Sequence, residues 1–375
     1  MTVPSFNRVN VSISALCHNY RLLQNRAGEK TTLLAMVKAD AYGHGMLRVG
    51  RALNAAGCRC FGVAEICEAV ALREAGVQGE ILVFLGFSPG SAALFFDHDL
   101  TPVIFDIASA RVLSQEAVRR GSEIAVHVKV DCGMTRLGIY PEEFAGFMAE
   151  LSALPGVTAR GIASHFPRAD EADSGNTPEQ FKRFRKLAPV AGSDSELLRH
   201  TANSGAILNF PETCCDMARA GISLYGYYPD GIAGQHAEEG EKLQAVMSFS
   251  SQVLQVKDVA EGVGVSYGHS FITSRPTRLA VLPLGYEDGL SRSLSSRAEV
   301  LVRGRRARVC GRICMNLCMV DVTDIEGVAA GDEVVILGRQ GGECISADEI
   351  AGWMGSISYE VLCLFGNNNE RKYIE

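Results

Sequence analysis

The feature that most constrains this chain is an alternation running from about residue 31 to residue 228. Short apolar runs (TLLAMV, CFGVA, EILVFL, TPVIF, EIAVHVKV, ARGIAS, ELLRHT and CCDMARA) are separated by segments such as MLRVGRALNAAG, EICEAVALREAG, IASARVLSQEAVRRG, EEFAGFMAELSAL and PEQFKRFRKLA. In most of those segments apolar residues recur at three- and four-residue intervals, the signature of one helix face. Repeated strand and helix imply parallel pairing, because a parallel neighbour is reached only through a crossover. Eight such strands predict a closed (β/α)8 TIM barrel, since an open doubly wound sheet usually holds about five or six. No G-x-G-x-x-G follows the first run. Chemistry is therefore expected just past each run, where a barrel gathers its loops.

Residues 229–243 (PDGIAGQHAEEGEKL) are rich in Gly and charge and read as a linker. Beyond them the texture changes to strands: AVMSFSSQVLQVKDV, RLAVLPLG, AEVLVRG, RARVCG, CMVDVT and DEVVILG, with Gly or Asp-Gly turns and one short helix near SADEIAGWM. Two domains follow, a barrel over 1–240 and a mostly β domain over 241–375. Polar residues out of keeping with a plain strand surface, notably Tyr267, Tyr286 and Asn316, fall in the second.

Charge narrows the partners. Lys and Arg number 36 against 43 Asp and Glu, a net charge of −7, which argues against nucleic acid because phosphate binding leaves a basic footprint. No stretch approaches the roughly 18 apolar residues of a membrane span, and no charged start with an apolar run opens the chain, so the cytoplasm is the expected location. Twelve scattered cysteines without a secretion signal favour reduced thiols. Cys310, Cys314 and Cys318 recur every four residues but lie in a β-branched, apolar run without a nearby His, and read as buried thiols rather than metal ligands.

Lys38 ends the first apolar run, within AMVKADAYGHG. A lysine emerging from a buried strand is costly as a cation, so it is either an ion-pair partner or a Schiff-base lysine. The surrounding motif resembles the pyridoxal phosphate lysine motif of alanine racemases. The similarity continues in the same order through HVKVDCGMTRLG, IASHF, HTANSGAIL, ARAGISLYG, VSYGHSF, GYEDGLSR, GRICMNLCMVDV and SYEVL, nearly the whole chain. The resemblance implies a barrel followed by a β domain, a head-to-tail homodimer whose active sites are shared between subunits, pyridoxal 5'-phosphate as cofactor, and interconversion of L- and D-alanine, the latter usually feeding peptidoglycan.

By resemblance Lys38 carries the cofactor and acts as one of two bases, and Tyr267, given by the partner subunit, is the other. Racemisation needs such an opposed pair, one group taking the proton at Cα and the other returning it to the opposite face. A phenol is a weak base, so nearby cations such as Arg219, acting through His165, are expected to lower its pKa. Tyr42, Asn203, Ser204, Gly221, Ile222 and Tyr359 are implied to hold the phosphate, small residues allowing backbone N–H groups close to the anion. Arg219 is implied to face the pyridine nitrogen, with His165 hydrogen-bonded behind it. A guanidinium does not give up its proton, so the ring nitrogen stays unprotonated, which suits rapid reprotonation. Arg136 is implied beside the substrate carboxylate, Met315 holds that carboxylate through its backbone N–H, and Tyr286 lines the entrance. Lys129, seven residues before Arg136, matches a lysine often carbamylated in the family. Taken singly, these residues also read as turns, caps, a core histidine, a snorkelling lysine or a cross-strand tyrosine.

The chain departs from the family at Asn316, where Cys-Met-Asp is usual. An amide can donate as well as accept, so a serine-racemising or broad small-amino-acid pocket is the alternative reading, beside a neutral replacement. Ala220 for Pro and Cys132 for Thr are lesser departures. Three further readings compete. A non-catalytic pyridoxal phosphate carrier would be a lone barrel. A barrel-type amino-acid decarboxylase would have a glutamate in place of Arg219 and a cysteine in place of Tyr267. A dimeric sensor would keep the fold without needing both Lys38 and Tyr267.

Overall fold

The computed structural model describes residues 5–173, 175–187, 197–229 and 242–375. It divides into two compact units, one of Ala15–Ala41 and Met46–Gln244, the other of residues through Ser14, Tyr42–Gly45 and Ala245–Glu375.

Each of the eight apolar runs contains a strand. After β1 (Arg8–Ser12), discussed below, they are β2 (Thr32–Met36), β3 (Cys60–Val63), β4 (Glu80–Val83), β5 (Thr101–Ile104), β6 (Ile124–Lys129), β7 (Val157–Ala163), β8 (Leu198–His200) and β9 (Met217–Ala220). All pair in parallel, in the order β8-β7-β6-β5-β4-β3-β2-β9. The seam between β8 and β9 is bridged by the Arg219 N–H donating to the Ala202 carbonyl at 2.9 Å, so the sheet closes on itself. The predicted helices form at Met46–Ala55, Ile66–Glu74, Ile107–Arg120, Phe144–Ser152 and Asn176–Arg185. Asp106 starts the longest of these by accepting from the Ser109 N–H, and Gly121, with φ 62°, ends it. Leu34, Cys60, Leu82, Val103 and Met217 pack together inside the barrel, giving an apolar cluster from strands β2, β3, β4, β5 and β9.

The other unit is built on β10 (Met247–Gln252), β11 (Gln255–Val259), β12 (Gly264–Val265), β13 (Phe271–Ile272), β14 (Thr277–Leu282), β15 (Glu299–Val302), β16 (Arg305–Arg308), β17 (Cys318–Asp321), β18 (Glu333–Gln340), β19 (Glu343–Ile345) and β20 (Arg371–Ile374). AVMSFSSQVLQVKDV, read as one strand, is two. The chain changes sheets at Val253 and Leu254, so that β10 pairs with β18 while β11 pairs with β14. The N-terminal residues also differ from the sequence reading. β1 lies antiparallel to β10 and parallel to β20, so a segment assigned to the barrel by its position completes the large β sheet instead. The boundary expected at 240/241 and most of the predicted linker lie outside the described residues. Of the three regularly spaced cysteines, Cys310 and Cys318 are buried and Cys314 is partly so.

Candidate active site

The barrel unit gathers its unusual residues at the ends of β2, β6, β7, β8 and β9. Lys38, half-buried, follows β2 and opens a left-handed turn: Ala39, Asp40, Ala41 and Tyr42 all have φ between 52° and 56°. Each non-glycine residue there costs roughly 1–2 kcal/mol, so the turn needs outside support. Two carboxylates supply it. Glu68 accepts from the Ala39 N–H at 2.7 Å with one oxygen, and from the N–H groups of Ala64 and Glu65 with the other, at 2.8 and 3.1 Å. Asp40 accepts from the Met46 N–H at 2.7 Å, where the next helix begins. The sequence reading missed both carboxylates, because a left-handed run of ordinary residues has no sequence signature.

Arg219, on β9, is 4% exposed. Nη1 donates to His200 Nδ1 and to the His200 carbonyl, both at 2.9 Å. Nη2 donates to the carbonyls of Ser164 and Thr201 at 2.5 and 3.0 Å and to His165 Nδ1 at 3.2 Å. Among the described residues its Nε–H donates to nothing, while Phe84 lies against the guanidinium with 6.0 Å to the ring centroid. Burial, with Arg136 adding to it, lowers the Arg219 pKa to about 10, so the group remains a cation at neutral pH. Burial also drives His165 and Lys129 well below their usual values, helped by Arg219 in each case. Arg219, Lys129, Arg136 and Lys38 all act on His165, so these four basic side chains gather at one end of the barrel.

Asp131, also missed in the sequence, organises the loop after β6. Its Oδ1 accepts from the N–H groups of Gly133, Met134 and Thr135 at 2.8–3.0 Å, and its Oδ2 accepts from the Arg136 N–H at 2.8 Å. Its carboxylate is thereby committed to backbone, and Arg136, whose side chain is exposed, is set at the mouth. Next to β8, Asn203 caps the short helix Ser204–Asn209 by accepting from the Ala206 N–H and donates to the Phe166 carbonyl, each at 3.0 Å. Ser204 Oγ accepts from the N–H groups of Gly221 and Ser223 at 2.8 and 3.4 Å, leaving its own hydroxyl hydrogen to give away. Gly221 and Ile222, both buried, lie beside it.

In the β unit, Tyr42 and Tyr359 stand with ring centroids 5.9 Å apart. Burial and then Tyr359 raise the Tyr42 pKa, so its hydroxyl stays a donor. Gly43, with φ 82°, meets the helix Ser358–Asn367 so closely that a Cβ would come within 2.5 Å of the Leu362 carbonyl oxygen. Tyr267 sits in a short turn between β12 and β13 and is 70% exposed. Tyr286 and Met315 are exposed at 41% and 54%. The Met315 N–H donates to nothing among the described residues, whereas its carbonyl accepts from the Glu287 N–H at 3.1 Å. The Asn316 amide donates to the Glu287 carboxylate, so one of the two N–H hydrogens that the sequence reading offered to a substrate hydroxyl is already engaged.

Family models described as the N-terminal and C-terminal domains of alanine racemase match residues 11–229 and 246–373. The chain belongs to the alanine racemase family. An alanine racemase from Desulfovibrio desulfuricans is 43% identical, with 99% of this chain and all of the relative covered. The solved alanine racemase of a D-cycloserine-producing Streptomyces lavendulae superposes with a TM-score of 0.92 at 33% identity, covering 100% of this chain and 98% of that one. Alanine racemase from Bartonella henselae, solved with covalently bound pyridoxal phosphate, gives 0.88 at 28%, covering 99% and 100%. The racemase barrel and the β domain expected from the sequence are thus both present, in that order.

Proposed function

We propose that the protein is a pyridoxal phosphate-dependent racemase that interconverts L- and D-alanine. The observation that carries this reading is Arg219: a buried cation whose Nη groups are spent on protein acceptors and whose Nε–H is left for an acceptor from outside the chain. A pyridine nitrogen suits such a donor only when unprotonated, and a decarboxylase of the barrel type would have a carboxylate there. Lys38, Tyr42, Asn203, Ser204, Gly221, Ile222 and Tyr359 would hold the cofactor, the Ser204 hydroxyl having a hydrogen to donate to a phosphate. Bound through Lys38, pyridoxal phosphate supplies the electron withdrawal that acidifies the substrate Cα–H.

The remaining steps belong to this chain. Arg136 and the free Met315 N–H hold the substrate carboxylate. Lys38 Nζ takes or returns a proton on one face of Cα, and Tyr267 Oη, from a second copy, does so on the other. The exposure of Tyr267 in its own chain supports that assignment. The protein is therefore read as a homodimer and, separately, as cytoplasmic. Lys129, whose ammonium form is disfavoured by burial and by Arg219, is suited to take up carbon dioxide and release a proton, giving a carbamate that would pair with Arg136. The curated relatives are alanine racemases, which favours alanine over serine; Glu287 takes one of the two Asn316 N–H hydrogens and so reduces what that amide can offer a serine hydroxyl.

The test is the ratio of kcat/KM for L-alanine and L-serine, read by chiral chromatography on purified protein with added pyridoxal phosphate. A clear preference for alanine is expected. Equal or better use of serine would replace the substrate assignment, and activity on neither would refute the function.

A further inference from the structure

Two fully buried histidines have no task in the mechanism above. His200 closes β8 and His127 lies within β6, both with no exposed surface. Their hydrogen bonds have a direction. Arg219 can only donate, so His200 Nδ1, 2.9 Å from Arg219 Nη1, accepts and bears no hydrogen. The hydrogen of neutral His200 is therefore on Nε2, 2.8 Å from His127 Nδ1, which must accept in turn. That leaves His127 with its hydrogen on Nε2, which has no hydrogen-bond partner among the described residues. The carboxylate it faces is Glu80, with Oε1 at 3.9 Å. Glu80 opens β4 and also accepts from Thr101 Oγ1 at 3.2 Å, with Arg160 Nη1 at 3.8 Å.

Arg219 belongs to the mouth of the barrel, and Glu80, at the start of its strand, to the opposite end. The two imidazoles therefore cross an interior that barrels normally fill with aliphatic side chains. The fold makes room for them. Gly161, paired with His127 across β6 and β7, could not be replaced by alanine without placing a Cβ 2.6 Å from His127 Nδ1 and Cε1. Phe84 packs edge-on against His200, with 6.3 Å between ring centroids. Both imidazoles turn a lone pair towards Arg219 and an N–H towards Glu80, so their dipoles align between opposite charges and polarise one another.

We propose that His200, His127 and Glu80 form a relay through the barrel that positions Arg219, fixing the Nη1 edge of its guanidinium and coupling its charge to a carboxylate at the far end. The relay exists independently of the proposed function; only its effect on turnover rests on that reading. All three are positioning residues.

The test uses the holoenzyme labelled with nitrogen-15 at histidine. Magnetic resonance is expected to show His127 and His200 as neutral Nε2–H tautomers, with scalar coupling between His200 Nε2 and His127 Nδ1. Glu80→Gln keeps the shape and removes the charge. It is expected to move both rings' nitrogen shifts and to lower kcat for alanine about three- to tenfold with KM within about twofold, since only the fit to the transition state is loosened. Glu171→Gln, which breaks a surface pair with Arg168, serves as the control and changes neither readout. Gly161→Ala should displace the His127 ring; should that variant not fold, Glu80→Gln still decides. An Nδ1–H tautomer at either ring, or wild-type shifts or wild-type kcat in Glu80→Gln, would overturn the relay. A wild-type protein inactive on alanine and serine would defeat the proposed function alone, with the tautomers and coupling still deciding the relay.

Discussion

The barrel unit and the β unit handle their polar residues in opposite ways. In the barrel, Arg219 is buried and every Nη hydrogen bond ends on a protein atom, with His165, His200 and Lys129 pressed towards neutrality around it. In the β unit, Tyr267, Tyr286 and Met315 stand exposed, and the Met315 N–H finds no acceptor among the described residues. A polar group buried without a partner costs free energy, so the barrel had to complete its networks within one chain. Exposed groups carry no such penalty and can wait for a partner. The contrast teaches where each half of the proposed chemistry would be finished: the barrel's basic cluster by folding and, on the reading proposed above, the β unit's tyrosine by assembly.

The sharpest way to break this contrast is to remove one base from each unit. Lys38→Ala should abolish alanine racemisation, by about 10³-fold or more, with the thermal midpoint little changed. Tyr267→Phe should cost about 10²- to 10⁴-fold, again with folding intact because the side chain is exposed. Mixing the two inactive proteins and allowing subunits to exchange should restore activity, since a mixed dimer contains one site with both bases. Mixtures that stay inactive under confirmed exchange would mean that each chain completes its own site.

Asp131→Asn probes the barrel alone. Losing the charge that gathers four backbone N–H groups should cost about 1–3 kcal/mol of stability in chemical denaturation and raise KM through Arg136. Unchanged stability would show that the loop is held by other contacts.

Acid should also discriminate between the units. Burial first, then Arg160, lowers His127 to about 3 in the folded state, against about 6.5 unfolded. A depressed histidine costs nothing above pH 6.5 and progressively destabilises the fold below it, because only the unfolded chain takes up the proton. At pH 5 the cost from His127 is about 2 kcal/mol, and His165 and His200 act in the same direction. Hydrogen exchange should lose protection between pH 7 and pH 5 in β6 and β8 before β14 and β17; the reverse order would contradict it.

The smallest effect is expected at Asn316→Asp. It would set two carboxylates together at Glu287 and move the alanine-to-serine ratio of kcat/KM by less than about tenfold. A larger change would put residue 316 at the centre of substrate choice.

Much of the barrel was legible because apolar periodicity is local: each of the eight runs carries a strand, and each helical pattern named a helix. Of the candidate site, Lys38 stood out by its place at the end of a buried run, whereas Arg219 and Tyr267 were picked out by the family resemblance. What supports them was not legible. Glu68 reaches the Lys38 turn from 29 residues away in the chain, and Asp131 looks like any loop carboxylate until its four N–H partners are seen. β1 escaped notice because its partners, β10 and β20, lie more than 200 residues away, and the sheet change at Val253 leaves an unbroken apolar pattern.

The sequence by itself determined the strand-helix alternation, the change of texture beyond residue 240 and which residues could do chemistry, because these depend on neighbours along the chain. Only the tertiary structure decided that β1 leaves the barrel for the β sheet, that four ordinary residues after Lys38 turn left-handed, and that His200 turns its lone pair to Arg219 while His127 turns its own to His200. Those outcomes depend on partners distant in sequence, and on hydrogen bonds whose direction is set only once donor and acceptor have met.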